Sequence, residues 1–536
     1  MSDQLAAQIM RRKQALQTKR SLHEDVWRQC FDYSFPERGD GFYNEVQDAN
    51  ALQAKRARLL DATSTDAGQI LASAIMGGGT PSNSRWFGLT AGSDSDEEKR
   101  WFDDAAEAIF EYIHGSNYDA VGFECALDII AAGWFVLYID EDREKGGYHF
   151  EEWPLATCWI AASKPGGLAD TLIRSYELTA EQAVNTFKIE NVSEKVRQLV
   201  NDGKQDEKVK FCHSIYPRPV YAVDAVRAKN LPFASVHIEV DTKHLVRESG
   251  YHECPFVAPR WAKLPGSDYG IGPMFRALPD VKQLNRLVYL EDTNLDIAVS
   301  GMWIAEDDGV LNPRTVKVGP RKIIVANSVD SMKELRSGAD FNVAFSKKDQ
   351  LQAAIRKILM ADQLAPQDGP VRTAYETHVR VQMIRQLLGP IYGRLQAEWY
   401  KPMIERCFGI ALRAGALGRP PQSLRARILS VTFTSPMAKA QKLEEVTAVE
   451  SSLAAVAELA GVKQDPEVWD LVDVDESVRI IFDGRGAPAR TLRSADDVKA
   501  MRDARAQAQQ QAAQQQQAAE VAAPVMQQFA KNMATA

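Results

Sequence analysis

The 536-residue chain has no apolar run long enough to cross a bilayer. The longest, CALDIIAAGWFVLYI at 125–139, is broken by Asp128 and falls short of the ~20 residues a spanning helix needs. The opening MSDQLAAQIMRRKQALQTKR is polar and basic, without the apolar core of a secretory leader, so the expectation is a soluble, unexported chain with no membrane partner. Cysteine is sparse: Cys30, Cys125, Cys158, Cys212, Cys254 and Cys407 show no CxxC spacing, which predicts reduced core thiols rather than disulfides or a zinc site. Positive charge is not in excess either. With 64 Lys and Arg against 72 Asp and Glu, the formal net charge is −8, which argues against a protein that grips nucleic acid by neutralising each phosphate.

Signatures of catalysis are also missing. There is no GxxxxGK[ST], GxSxG or HExxH, and GIGPMF at 270–275 has Phe275 where a dinucleotide fingerprint needs its third glycine. The histidines are dispersed. His244 and His252 bound HLVRESGYH and with Glu248 or Glu253 would make a metal site, but no third ligand has the required spacing, so surface or core roles are read instead. AEDDG at 305–309 offers paired acids for Mg²⁺, but it is read as a solvated turn. No enzyme centre, metal or cofactor is expected.

What is present is an ordinary globular composition, 45% hydrophobic and 25% charged, in a chain long enough for roughly three or four domains. A polar helix is read over 5–32 with Leu16, Leu22 and Val26 as apolar positions, and a second over about 50–76, stopped by GGGTPSNSRW. An amphipathic helix follows over 95–114 (Trp101, Phe102, Ala105, Ile109, Ile113), then one over 118–132 that runs into the strand-like GWFVLYIDED. From 147 to 260, YHFEEW, TLIRSYEL, VKFCHSIYP, SVHIEVD and HLVRESGY predict a β-rich part, interrupted by a helix over 179–202 that Thr179 and Gln182 open as a capping box. The fold class is therefore α+β, predominantly α-helical.

A helix over 274–298 uses Pro273 or Pro279 in its first turn and carries Leu284, Leu287, Val288 and Leu295. The interval 301–345 holds strand-like pieces (MWIAE, TVKVG, KIIVAN, FNVAF) whose charges cancel. A returning helix starts at Ser346, with Asp349 at capping-box spacing, and presents Leu351, Ile355, Ile358 and Leu359. It ends in ADQLAPQDGPVRTAYE, where Pro366, Gly369 and Pro370 stop it and Thr373 with Glu376 form a second capping box. A helix from Ala374 to about Ala414 follows, bent or divided at Pro390 and Pro402. Beyond GRPPQS come a strand in ARILSVTFTS, helices near 436–460 and 465–472, a turn at FDGRGAPART, and an Ala/Gln-rich stretch capped by Ser494 that is either a long helix or a disordered tail.

Helix, β-rich insert, returning helix, Pro/Gly loop and long kinked helix together form a layout similar to the portal (head-to-tail connector) proteins of short-tailed, podovirus-type bacteriophages. The local segments resemble that family's in order: TPSNSRWFGLT, HGSNY, CPFVAPRW, DYGIGPMFRALPDVKQLN, RTAYETHVR, LLGPIYGRLQAEWYKPMIERC and TSPMAKAQ, across residues 80–441. The resemblance implies a phage portal fold assembled as a dodecameric ring at one capsid vertex, a channel for packaging and ejecting double-stranded DNA. It implies a wing (1–272 and 372–435), stem helices (273–300 and 346–363), a clip (301–345), a tunnel loop (364–371), a crown (436–493) and a C-terminal barrel helix or tail (494–536). Gln363, Gln367, Asp368, Gly369 and Arg372 would border the DNA, and Lys282, Arg286, Lys347, Lys348, Arg356 and Lys357 are candidates to face the channel. Implied partners are further copies of the chain, the major capsid protein, scaffold protein, terminase large subunit, tail adaptor or head completion proteins and internal ejection proteins. The implied location is the virion, after assembly in the host cytoplasm. The alternatives weighed are an internal scaffold or tail adaptor, and a nucleotide-dependent packaging enzyme.

Overall fold

In a computed structural model of the chain, the described residues are 2–39, 49–90, 96–142, 144–221, 227–300, 302–305, 332–335, 341–364, 389–421, 430–433, 436–463, 469, 471–485, 491, 493 and 497–512. They cluster into two units: Met1–Trp86 with Ile109–Gly418, and Phe87–Ala108 with Arg419–Ala536.

The first unit opens with α1 (Ser2–Asp32). Its inward phase runs through Leu16, Arg20, Trp27 and Cys30, all buried, at the spacing of one helix face. Leu22 is out of that phase and 80% exposed, against expectation, and Val26 is half-buried. Arg20 occupies the inward position instead, donating to the carbonyls of Leu155 (3.1 Å) and Cys158 (2.7 Å) and lying over the Trp159 ring at 4.4 Å.

The helix expected over 50–76 is two, α2 (Ala49–Arg56) and α3 (Thr63–Gly79). Between them Asp61 accepts the Thr63 amide at 2.8 Å and the Leu60 amide donates to Asn285 at 2.7 Å, bonds that compete with helical ones. The glycines expected to end α3 remain helical, because a Cβ on Gly78 would stand 2.0 Å from Tyr392 Oη and one on Gly79 2.1 Å from Tyr400 Oη. Bare backbone is what lets the tyrosines in. The strand β1 (Phe87–Thr90), unanticipated in sequence, precedes α4 (Asp96–His114) and α5 (Tyr118–Ala131).

Next come β2 (Leu137–Glu141), β3 (Tyr148–Glu152), β4 (Cys158–Ala161), β5 (Thr171–Thr179), α6 (Ala180–Phe187), α7 (Glu194–Asn201), β6 (Lys208–Pro217), β7 (Phe233–Glu239), β8 (Leu245–Tyr251), β9 (Phe256–Val257), β10 (Ala262–Lys263) and β11 (Gly270–Ile271). They form an antiparallel five-stranded sheet in the order β4-β5-β6-β7-β8, a three-stranded sheet β3-β2-β9 and the pair β10-β11. One face of the larger sheet packs Ile173, Cys212, Val236 and Ile238 against Ala6, Ile9 and Leu16 of α1. On the other, Val209, Phe211 and Val246 meet Ala183, Phe187 and Val196 of α6 and α7. The capping box holds as read: the Gln182 amide donates to Thr179 Oγ1 at 3.2 Å and the Thr179 amide to Gln182 Oε1 at 3.1 Å. The single helix expected after it is divided at Lys188, whose φ is +70°.

Two charged anchors hold these layers. Arg38 donates to Asp128 on α5 (2.7 Å) and to Glu152 on β3 (2.6 Å). Arg260 grips Glu398 through Nε (2.9 Å) and Nη2 (3.0 Å) while its own amide donates to the same carboxylate at 3.1 Å. All six cysteines are free thiols, and five are buried.

The chain leaves the sheets in α8 (Pro273–Ser300), with Pro273 first and Pro279 inside the helix. A hairpin follows, β12 (Met302–Ala305) with β13 (Met332–Leu335), in which Met302 pairs Leu335. TVKVG, KIIVAN and Asp307–Gly309 lie outside the described residues. Helix α9 (Phe341–Ile358) returns the chain. FNVAF, read as strand-like, is its first turn, so Ser346 and Asp349 lie inside the helix and are not its cap. The β propensity of Val and Phe is weak against continuation of the helical face of Leu351, Ile355 and Leu359. At Met360, with φ +60°, the helix breaks before α10 (Ala361–Leu364).

The next described helix covers 389–395, widens into a π-helical turn at Gln396–Tyr400, and continues as α11 (Lys401–Arg413). The division falls just before Pro402, which has no amide to direct at Glu398.

In the second unit β1 pairs antiparallel with β14 (Ser430–Phe433), Phe87 opposite Phe433. Two helices follow, α12 (Pro436–Lys463) and α13 (Val474–Arg485), the latter absorbing the start of the expected turn at FDGRGAPART. Residues 497–512 form an exposed helix whose Arg502 pairs with Asp475 at 2.6 Å.

Replacing a helical glycine by alanine ordinarily stabilises by about 0.5–1 kcal/mol. At Gly79 the new methyl would displace the buried Tyr400 ring, so Gly79→Ala is expected to destabilise by ~1–3 kcal/mol. A raised melting temperature would refute the fit.

Burial, with Asp128 adding to it and Arg38 offsetting, holds the Glu152 carboxyl above its ordinary 4.5. A raised folded value stabilises the fold fully below 4.5, and that contribution is lost as pH climbs toward the folded value. Urea midpoints should therefore fall with rising pH above 4.5, with a shallower fall in Glu152→Gln; equal slopes would remove the assignment.

Candidate channel site

Helices α8 and α9 form one antiparallel pair. On α8 the buried positions include Met274, Ala277, Leu278, Val281, Leu284 and Val288; on α9 they are Leu351 and Ile355, with Leu359 just past its end. These 3- and 4-residue steps are the seam of two packed helices. Polar side chains fix the pair to the rest of the unit. Asn285 Nδ2 donates to the Arg58 carbonyl at 2.8 Å and Gln352 Nε2 to Asp61 at 2.8 Å, so the loop between α2 and α3 clasps both helices.

The six basic candidates separate by geometry. Lys282 donates to Gln29 on α1 and lies 5.7 Å from the Tyr33 ring, so its charge is spent inside the subunit. Lys348 bonds Glu291 across the helix pair at 3.3 Å. Arg286, Lys347, Arg356 and Lys357 are exposed. Gln363 lies in α10, while Gln367, Asp368, Gly369, Arg372, Thr373 and Glu376 lie outside the described residues.

Beyond Val288 the pair carries apolar groups in solvent: Tyr289 61%, Leu290 45%, Leu295 57% and Phe345 54% exposed. Leu295 was read as part of the buried stripe and keeps its phase. Asn285, Glu291 and Gln352 escaped the sequence reading. Their one signal was polarity at or beside inward positions of an otherwise apolar stripe.

The metal alternative dissolves in side-chain contacts. His244 Nε2 meets the Asn191 carbonyl at 3.0 Å, Glu248 sits 3.7 Å from Arg218 and 3.5 Å from Lys229, and Glu253 is held by Arg406 and Arg413. Among the described residues no group of three or more His, Cys, Asp or Glu is placed to hold a metal ion, and no helix is long and apolar enough to cross a membrane.

A sequence model of a family described as bacteriophage head to tail connecting protein matches residues 6–492. The chain is 27% identical over 525 residues to the "Probable portal protein" of Bordetella phage BPP-1, covering 92% of this chain and 90% of that one. It is 26% identical over 527 residues to the "Portal protein" of Salmonella phage epsilon15, covering 95% and 92%. Among solved structures, a chain from the "Neck of empty GTA particle computed with C6 symmetry" aligns at 12% identity over 73% of this chain and 86% of that chain, with a TM-score of 0.34, too low to support an argument.

Lys348 neutralises a carboxylate only 14% exposed, so Lys348→Ala should cost about 1–2 kcal/mol in urea unfolding at fixed protein concentration. Lys347→Ala, one position along and exposed, should stay within about 0.5 kcal/mol. Equal effects would undo the distinction between spent and free cations.

Proposed function

The chain belongs to the bacteriophage head to tail connecting protein family, and on that premise we propose that it is the portal subunit, twelve copies of which ring the DNA channel at one capsid vertex. The observation that carries this reading is the extent of the similarity: the family match runs from residue 6 to 492, and two relatives named portal proteins align over more than nine-tenths of this chain. Such length disfavours a scaffold or a small tail adaptor. A packaging ATPase needs a phosphate loop, and the sequence has none. We therefore read the protein as a structural conduit rather than an enzyme.

The parts follow. Residues 1–272 and 372–435 are the wing, 273–300 and 346–363 the stem, 301–345 the clip, 364–371 the tunnel loop, 436–493 the crown and 494–536 the C-terminal barrel or tail. The exposed Tyr289, Leu290, Leu295 and Phe345 support ring formation, since a neighbouring stem would withdraw them from water. Of the six basic candidates, Arg286, Lys347, Arg356 and Lys357 are left to meet DNA. The clip is the surface for terminase during packaging and for adaptor proteins afterwards, and the outer ring meets capsid and scaffold proteins. Internal ejection proteins would sit above the crown. The subunit assembles in the host cytoplasm and remains in the virion at the head–tail junction.

Electron microscopy of the purified chain should show closed rings end-on; a monodisperse monomer under assembly conditions would overturn the proposal. Removing residues 364–371 should leave rings intact but produce particles that fail to package or retain DNA. DNA-filled particles at normal yield would free that loop of its assigned role.

A further inference from the structure

A cavity of about 1040 Å³ opens in the first unit between the β2–β3 hairpin, the β5–β8 face and the end of α11. It lies apart from α8 and α9 in sequence, on strands and a helix end that the proposed channel does not use. Across its floor runs a row set by strand register: Arg174 on β5 is opposite His213 on β6, His213 opposite His237 on β7, and His237 opposite Arg247 on β8. The two imidazoles stack with centroids 3.9 Å apart and planes 13° off parallel. His213 Nε2 bonds Ser235 Oγ and His237 Nδ1 bonds Tyr176 Oη, both at 2.9 Å.

Like charges directly opposite one another on a sheet repel, so the row is tolerated while the two imidazoles between the arginines stay uncharged. Acidic compensation is slight. Arg174 reaches Glu151, itself 42% exposed, at 3.1 Å, and lies 4.3 Å over the Trp153 ring. Its Nε is buried without a partner, as is Trp153 Nε1. Arg247 has no carboxylate partner among the described residues. Both histidines are held neutral: burial, His237 and the two arginines depress His213, while burial, Arg247 and Arg174 push His237 down to about 3. Among the described residues no carboxylate offsets these effects on either ring.

The acids lining the cavity belong to the opposite wall. Asp140 is bonded by the Tyr138 hydroxyl (3.0 Å) and sits 3.7 Å from Arg406, and Asp142 accepts the amides of Glu144 and Lys145, each at 3.0 Å. Glu141 and Glu144 are exposed at the hairpin tip, where salt screens them. The floor is positive and the mouth is not.

We propose that this cavity is a binding site for a phosphate-class oxyanion, seated between the Arg174 and Arg247 guanidinium groups above the stacked imidazoles. Strands lie ~4.8 Å apart, so the two arginine backbones are roughly 14 Å from each other, a span two long side chains can close over one anion. Guanidinium forks match phosphate oxygens two at a time, and here Arg174 is largely sheltered from water while Arg247 is exposed. Free phosphate and a phosphate monoester share this chemistry. The volume admits a nucleoside monophosphate as readily as the bare ion.

Isothermal titration of the full-length chain with inorganic phosphate and, separately, with a nucleoside monophosphate tests this, in a chloride buffer of constant ionic strength. Saturable binding of either probe is expected, and which of the two binds tighter identifies the source. Arg247→Gln, an exposed position, should weaken binding about tenfold or more with the melting temperature unchanged, and Arg247→Lys should restore part of it. No heat from either probe at millimolar concentration would overturn the proposal. So would binding that Arg247→Gln and Arg174→Gln both leave intact, since the anion would then sit elsewhere.

Discussion

The path of the chain out along α8, back along α9 and into the π-helical turn depends on the buried pair of Arg260 and Glu398. Arg260 is 3% exposed, and an unpaired guanidinium there would cost several kcal/mol of desolvation. The bidentate contact, the extra bond from the Arg260 amide and the donation of Nη2 to the Gly167 carbonyl at 3.1 Å supply the hydrogen bonds that make burial tolerable. Arg260 also bridges Trp134, the residue after Gly133. Gly133 has φ +87°, and a Cβ there would be 2.2 Å from the amide of Gly272, where the stem begins. The root of α8 and the returning π turn are thus locked to the same short piece of backbone.

That lock is directional rather than greasy. Apolar packing alone admits several near-equivalent arrangements of a helix pair, whereas a fork, a bare-backbone contact and an amide clasp at Asn285 each admit one. Gly78 and Gly79 act in the same sense on the return side, because Tyr392 and Tyr400 fit only against a helix without side chains. In the proposed ring every copy would have to present α8 and α9 at one angle, and these contacts set that angle within the subunit. Burial of Tyr289, Leu290 and Leu295 by a neighbour would then contribute affinity without having to choose geometry.

Much of the helical frame could be read from periodicity, and the departures have particular causes. Thr179 and Gln182 were legible because a capping box is local: both partners lie within one turn. Asp128 was read as the residue that spoils an apolar run, yet it is buried, because Arg38, ninety positions earlier in the chain, comes to meet it. Gly78 and Gly79 looked like part of a stop signal for the same reason: the tyrosines that need them arrive from beyond residue 390. Strand β1 has only four residues and finds its partner more than three hundred positions away in β14. FNVAF carried strand-forming residues and lost to the helix that continues from it. Within the candidate channel site, the seam of α8 and α9 was legible, but the division of its cations was not, since nothing local to Lys282 or Lys348 announces Gln29 or Glu291.

That division bears on how an acidic chain can serve as a DNA conduit. Each cation that neutralises a phosphate displaces counterions and adds to the grip, so a channel lined by many free cations would hold its cargo rather than pass it. Here Lys282 and Lys348 are tied within the subunit, and the remaining stem cations are exposed and long-stemmed, able to follow a moving phosphate with little ordering cost. In the proposed channel, such cations would touch the duplex without anchoring it, which is the balance that translocation in both directions requires.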